Sequence, residues 1–165
     1  MLNPKEKEAV EEGIRLAWVN WIAFFVALFI YALGGHFLER PKGSATVVEV
    51  FKYILSGLTV ISLGAVYFLK KSMKEARWDF FPLSYLSKKV PDTNKIPPIS
   101  TYLIANTLSF TLAESVGLYG VLLFFLSGER EILYPFLLVA AIALIPLRPK
   151  QEELEQLMMT FKHRP

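Results

Sequence analysis

The sequence predicts an all-α integral membrane protein with four transmembrane helices, and three observations predict it. Hydrophobic residues fill 53% of the 165 positions, and the mean hydropathy of +0.39 is high for a soluble domain of this size. They are gathered into four blocks, roughly Leu16–Leu33, Val50–Leu69, Tyr102–Leu126 and Ile132–Leu147. Crossing a bilayer takes about 20 mostly apolar residues, with about 17 as the short limit, so three blocks qualify and the fourth is borderline. Finally, lysine and arginine divide unevenly among the connections. Fourteen of the 18 lie in the N-terminal segment, the long middle loop and the tail, and only Arg40, Lys42, Lys52 and Arg130 lie on the other side. The bias places both termini and the middle loop in the cytoplasm.

Residues 3 to 15 read as a short amphipathic helix leading into the membrane. Asn3 can cap it, Pro4 suits its first position, and Glu6 stands three residues after the cap. Trp18 and Trp21 then open the first spanning block at headgroup depth, and "GGHFLERPKGSAT" is a short outer loop. After the second block comes the longest connection, about Lys70 to Ser100. Its "RWDFFPLSYL", with Trp78, Phe80 and Phe81, is expected on the membrane surface, and Pro91, Pro97 and Pro98 bring the chain back to the bilayer. "SGERE" is a tight outer turn between the third and fourth blocks. Pro135 and Pro146 sit near the ends of the fourth block, where proline is better tolerated than in mid-helix. The tail, "QEELEQLMMTFKHRP", sets Leu154, Leu157, Met158 and Phe161 on one helical face. It is expected to lie on the headgroups or the middle loop, or to dock a soluble partner. With no long repeat, residues 1–165 read as one four-helix membrane domain.

Several chemistries are excluded early. There are no cysteines, which removes disulfide exchange, thiolate metal sites and covalent haem attachment. His36 and His163 fall at a helix end and in the tail, too far out for a two-histidine haem inside the bundle. The acidic "KEKEAVEEG" before the first block is unlike the basic start of a signal peptide, so the first helix is expected to stay as an anchor. No acids, histidines or cysteines cluster at one depth, and an enzyme is not expected. Neither a metal, a cofactor nor a nucleic-acid partner is expected.

One residue breaks the apolar pattern. Glu114 stands in the middle of "FTLAESVGLYGVLLFF", Phe110 to Phe125. A charge at the centre of a membrane helix costs roughly 2.5–3.5 kcal/mol on insertion scales, so such a residue faces protein or water and finds a partner. The apolar blocks hold no Lys or Arg at their centres; Lys52 lies only at the outer edge of the second. The acid is therefore kept neutral by desolvation, binds a small cation with neighbouring oxygens, or meets a cation on another subunit. Thr107, Thr111, Ser115 and Tyr119 on the same helix, and Ser56, Thr59 and Ser62 on the second, can supply oxygens.

The same helix carries small residues at every fourth position, Ala105, Ser109, Ala113 and Gly117, with Gly120 on the adjoining face. The second helix has Gly57 and Gly64 seven apart, with Ala65 beside them. In lipid, association comes from close backbone packing, which small-xxx-small rows permit. The second and third helices thus read as a tightly packed hairpin, and the row serves either one bundle or a seam between copies.

The segment "LAESVGLYGVLL", Leu112 to Leu123, resembles the acid-bearing second helix of the c subunit, or proteolipid, of rotary ATP synthases. Several members of that family have tyrosine five residues after the acid and glycine at six, here Glu114, Tyr119 and Gly120. The resemblance implies that Glu114 takes up and releases a proton or sodium ion, that Tyr119 closes the loaded site, and that Ser115 matches the serine of sodium-binding members. Sodium-binding members add a glutamine on the preceding helix, and Val50–Leu69 contains none, which favours a proton. The c-subunit-like hairpin would span about 50–127, with a longer loop and fewer glycines than the family's. The function expected is a c-subunit-like, non-catalytic subunit or scaffold of a membrane complex in a prokaryotic cytoplasmic membrane. Its partners are the lipid bilayer and other membrane subunits or copies of itself. The alternative is a proton-translocating component built on Glu114.

Overall fold

The computed structural model describes residues 4–38, 45–74 and 97–162, and every regular element among them is helical. Helix α1 runs Pro4–Phe37, α2 Ala45–Lys74, α3 Pro97–Ser127 and α4 Arg130–Leu144; a 3-10 turn, Ile145–Leu147, follows, and then α5, Gln151–Lys162. Four segments are long and apolar enough to cross a membrane: α1, Thr46–Ser72 of α2, Pro98–Ser127 of α3, and Arg130–Leu147. This is a membrane protein by length and composition. Asn3, the surface-loop motif "RWDFFPLSYL" with Pro91, and most of the outer loop after Leu38 lie outside the described residues.

Helix α3 is the axis of the assembly. Its apolar window is 44% buried, against 11% for α1, 11% for α2 and 28% for the last span. Helices α1 and α4 pack on α3 and on each other, while α2 packs chiefly on α3. The order is up-down-up-down, so both described chain ends fall at one end of the bundle, called here the terminal end. The α3–α4 connection marks the turn end. The core between α1, α3 and α4 is built from Leu28, Phe110, Val116, Phe124, Leu133, Leu137 and Leu144, with Val66 of α2 joining it.

The turn end shows how the sequence stops one helix and starts another. Gly128 has φ 72°, a left-handed conformation that favours glycine, and its N–H donates to the Phe124 carbonyl at 2.8 Å. The Ser127 hydroxyl accepts the Glu129 N–H at 3.0 Å, and α4 begins one residue later. At its far end α4 tightens into the 3-10 turn at Pro146, which cannot donate a backbone bond. The Arg148 N–H turns to the Ile145 carbonyl, and the Leu144 carbonyl accepts from the Trp21 indole N–H at 2.9 Å. The last span covers 18 residues, or about 27 Å, close to the thickness of the hydrocarbon core.

One expectation changes at the terminal end. Residues 4–15 are not a separate helix but the first turns of α1, whose 34 residues extend about 51 Å and overrun a bilayer core. The tail helix packs its apolar face onto the bundle. Leu154, Leu157 and Met158 bury against Val10 and Ala17 of α1 and Ile99 and Tyr102 of α3, with Phe161 at the edge. The N-terminal turns of α1 make this possible, because Val10 and Ala17 give α5 an apolar wall. Gly13 lets it close in: a Cβ there would come 2.8 Å from Ile99 Cγ2 and 3.4 Å from Leu154 Cδ2.

Candidate functional site

Helix α3 buries Ala105, Ser109, Ala113 and Gly117 along one side and Gly120 beside them. The row packs inside this chain. A Cβ on Gly117 would meet Leu28 Cδ2 of α1 at 2.7 Å and Leu137 Cδ2 of α4 at 3.3 Å. On Gly120 it would meet Phe136 Cβ at 2.6 Å and the Leu133 carbonyl at 3.0 Å. Gly57 and Gly64 behave differently from the hairpin-seam expectation. Both are exposed, with nothing within 4 Å of a Cβ placed on either. The face of α2 turned to α3 is set by Leu55, Ser62, Val66 and Leu69, which are buried and spaced by helical repeats. Gly57 and Gly64 each fall two residues from that stripe, about 200° around the helix, so they point away from the bundle.

With α1 drawn close by the small residues, Glu114 meets it. The Tyr31 hydroxyl donates to Glu114 Oε1 at 2.7 Å, a short bond in which a phenol serves as the acid's donor. One level nearer the terminal end, Asn20 Nδ2 donates to Thr107 Oγ1 at 3.0 Å. These two bonds form a ladder between α1 and α3. Asn20 and Tyr31 are eleven residues apart and Thr107 and Glu114 seven, and both spacings return to nearly the same face of a helix. The longer rise on α1 is taken up by the tyrosine, whose side chain leans back toward its own N-terminus.

The three expected ion-site residues do not converge. Ser115 donates to the Leu112 carbonyl of its own helix at 2.8 Å. Tyr119 turns to α2, where its hydroxyl stands 3.4 Å from Ser62 Oγ. Five residues advance an α-helix by about 140° beyond a full turn, so Glu114 and Tyr119 serve different neighbours once α1 and α2 flank α3 on different sides. Thr59 bonds the Leu55 carbonyl and Thr111 the Thr107 carbonyl, each within its own helix. No lysine, arginine or histidine among the described residues pairs with Glu114. Nor does any group of three His, Asp or Glu there gather as a metal site would require.

Tyr31 lies on α1, outside the two helices whose spacing pointed to oxygens for the acid. The signal was present in α1 as the Asn20/Tyr31 stripe, matched in α3 by Thr107/Glu114. A second polar cluster also went unread. At the terminal end Lys70 Nζ lies 3.1 Å from Glu153 Oε2 of α5 and 3.3 Å from Asn106 Oδ1 of α3. Asn106 in turn donates to the Tyr102 carbonyl at 3.0 Å. The Tyr102 hydroxyl stands 3.2 Å from both the carbonyl and the N–H of Lys150, which ties the start of α3 to the start of the tail. No family model matches the chain, and neither does any curated protein or solved structure.

Proposed function

We propose that this chain is a non-catalytic subunit or scaffold of a membrane complex in which Glu114 works as an interhelical strut. The observation that carries the reading is the Tyr31–Glu114 bond at 2.7 Å, beside a small-residue row already covered by α1 and α4 of the same chain. A ring of hairpins would need that row for neighbouring copies. Here Leu28 and Leu137 occupy it. A neutral carboxyl that accepts one hydrogen bond from a phenol is also an inexpensive way to place an acid in a membrane. The resemblance to the c subunit then extends to the sequence around the acid and not to its use. In this reading both termini and the middle loop face the cytoplasm of a prokaryote, as the lysine and arginine bias directs. Helix α5, with its buried apolar face and exposed polar one, is an amphipathic clamp at that surface.

Proton translocation is the second reading, and one observation favours it. Glu114 has a neutral hydroxyl rather than a cation as its partner, so a proton can come and go without breaking an ion pair. Native mass in mild detergent, together with proton flux across inverted membrane vesicles, separates the two. The strut reading expects a monomer, a dimer or a hetero-complex, and flux unchanged by Glu114→Gln. A large closed homo-oligomer, with Glu114 labelled by a carbodiimide and flux lost on labelling, would overturn it.

A further inference from the structure

In the turn-end half of the bundle a groove of about 720 Å³ runs between α1 and α4. Its floor is Leu28 and Leu137, both buried, and Phe29 and Leu138 stand exposed beside it. Glu131 and Tyr134 lie toward its mouth, where α4 begins. We propose that this groove is a site for one phospholipid with a primary ammonium headgroup, such as phosphatidylethanolamine. The ammonium is held by Glu131, and one acyl chain lies along the apolar floor. The inference is independent of the role of Glu114 and of which way the bundle faces.

Three features select this occupant. The first is length. Along α4 the groove runs from Glu131 to Ala141, a rise of about 15 Å, which is half of a hydrocarbon core about 30 Å thick. The α4 span opens at Arg130, so Glu131 stands at headgroup level and the floor below it spans one leaflet. The second is the polarity of the mouth. No lysine, arginine or histidine among the described residues pairs with Glu131, and Arg130 does not line the groove. Pro135 has no N–H, so the Glu131 carbonyl four residues earlier lacks its in-helix donor. A backbone group freed by proline inside a membrane needs another partner. Glu131 thus offers two acceptors, a carboxylate and a carbonyl, and a primary ammonium brings three N–H donors. The third is exclusion of other lipids. Phosphatidylglycerol sets a net negative charge against the carboxylate, and the quaternary ammonium of phosphatidylcholine has no N–H to give. A soluble amine would leave the floor uncovered. The volume lies within the range of specific small-molecule pockets.

The full chain, purified in detergent and stripped of lipid, can be titrated with the dioleoyl forms of phosphatidylethanolamine, phosphatidylcholine and phosphatidylglycerol and followed by native mass spectrometry. The site predicts one saturable phosphatidylethanolamine, retained about tenfold more tightly than phosphatidylcholine, with phosphatidylglycerol the weakest of the three. Glu131→Gln should lose most of that preference, and Ala32→Phe should weaken all three lipids by filling the groove. Should Ala32→Phe fold poorly, Glu131→Gln alone still decides, since Glu131 is exposed. Equal binding of phosphatidylethanolamine and phosphatidylcholine, a preference for phosphatidylglycerol, or an undiminished ethanolamine preference in Glu131→Gln would each overturn the proposal. So would full displacement by millimolar ethanolamine, which would mark a free-amine site.

Discussion

The Tyr31–Glu114 bond makes the sharpest prediction, because its strength depends on the state of the acid. Tyr31→Phe removes the donor and leaves the packing of the ring in place. Glu114→Ala removes the acceptor and leaves the Tyr31 hydroxyl facing lipid or protein without its partner. The two single variants should each cost more than their combination implies, since the double variant removes both polar groups together. Interhelical hydrogen bonds measured in membranes average about 0.6 kcal/mol and reach about 1.7. A neutral Glu114, as the strut reading holds, should therefore give a coupling energy of about 0.6–1.7 kcal/mol. An ionised carboxylate at 2.7 Å would give more, since bonds to charged groups contribute about 1.5–3 kcal/mol. The assay is reversible unfolding of the purified chain in mixed micelles, followed by far-ultraviolet circular dichroism, for all four members of the cycle. Coupling above about 2 kcal/mol would refute the neutral strut. Coupling near zero would refute the pairing itself.

The glycines give a contrast within one protein. Gly120→Ala drives a methyl to 2.6 Å from Phe136 Cβ and 3.0 Å from a backbone carbonyl, so it should destabilise by about 1–3 kcal/mol in the same unfolding assay. Gly64→Ala enters open space and should stay within about 0.5 kcal/mol of the parent or exceed it, alanine being the better helix former. At the turn, Gly128→Ala must hold a methyl-bearing residue at φ 72° and should lose about 1–2 kcal/mol by thermal melting in detergent. Leu154 is fully buried in the tail cluster, and Leu154→Ala should weaken that cluster by about 2–5 kcal/mol. Its signature is local: limited proteolysis should clip α5 early while the spanning helices keep their dichroism, and loss of the whole fold would contradict the separate clusters.

Much of the architecture was legible in the sequence because bilayer thickness dictates segment length. The blocks at Leu16–Leu33, Val50–Leu69 and Tyr102–Leu126 fall within observed helices, Ile132–Leu147 covers most of α4 and the 3-10 turn after it, and "SGERE" falls at the observed turn. The spacing of Leu154, Leu157 and Met158 likewise marked one apolar face on the tail. What that face covers was not legible. Periodicity says which side of a helix is apolar and not what meets it, so the overhang of α1 and the Gly13 approach had to be seen in three dimensions.

The same division holds for the candidate site. Hydropathy alone singled out Glu114, since a carboxylate among apolar residues costs energy wherever the helix is placed. Its neighbours depended on which helices flank α3 and on which sides. Small residues on both α2 and α3 suggested that those two helices close on each other, but helix propensity and small-residue rows carry no address. The tertiary structure set α1 and α4 on the row, turned Gly57 and Gly64 outward, and brought Tyr31, 83 residues away in the chain, to the acid. One-dimensional spacing orders groups along a helix. Only the packing of several helices around α3 decides which of those groups meet.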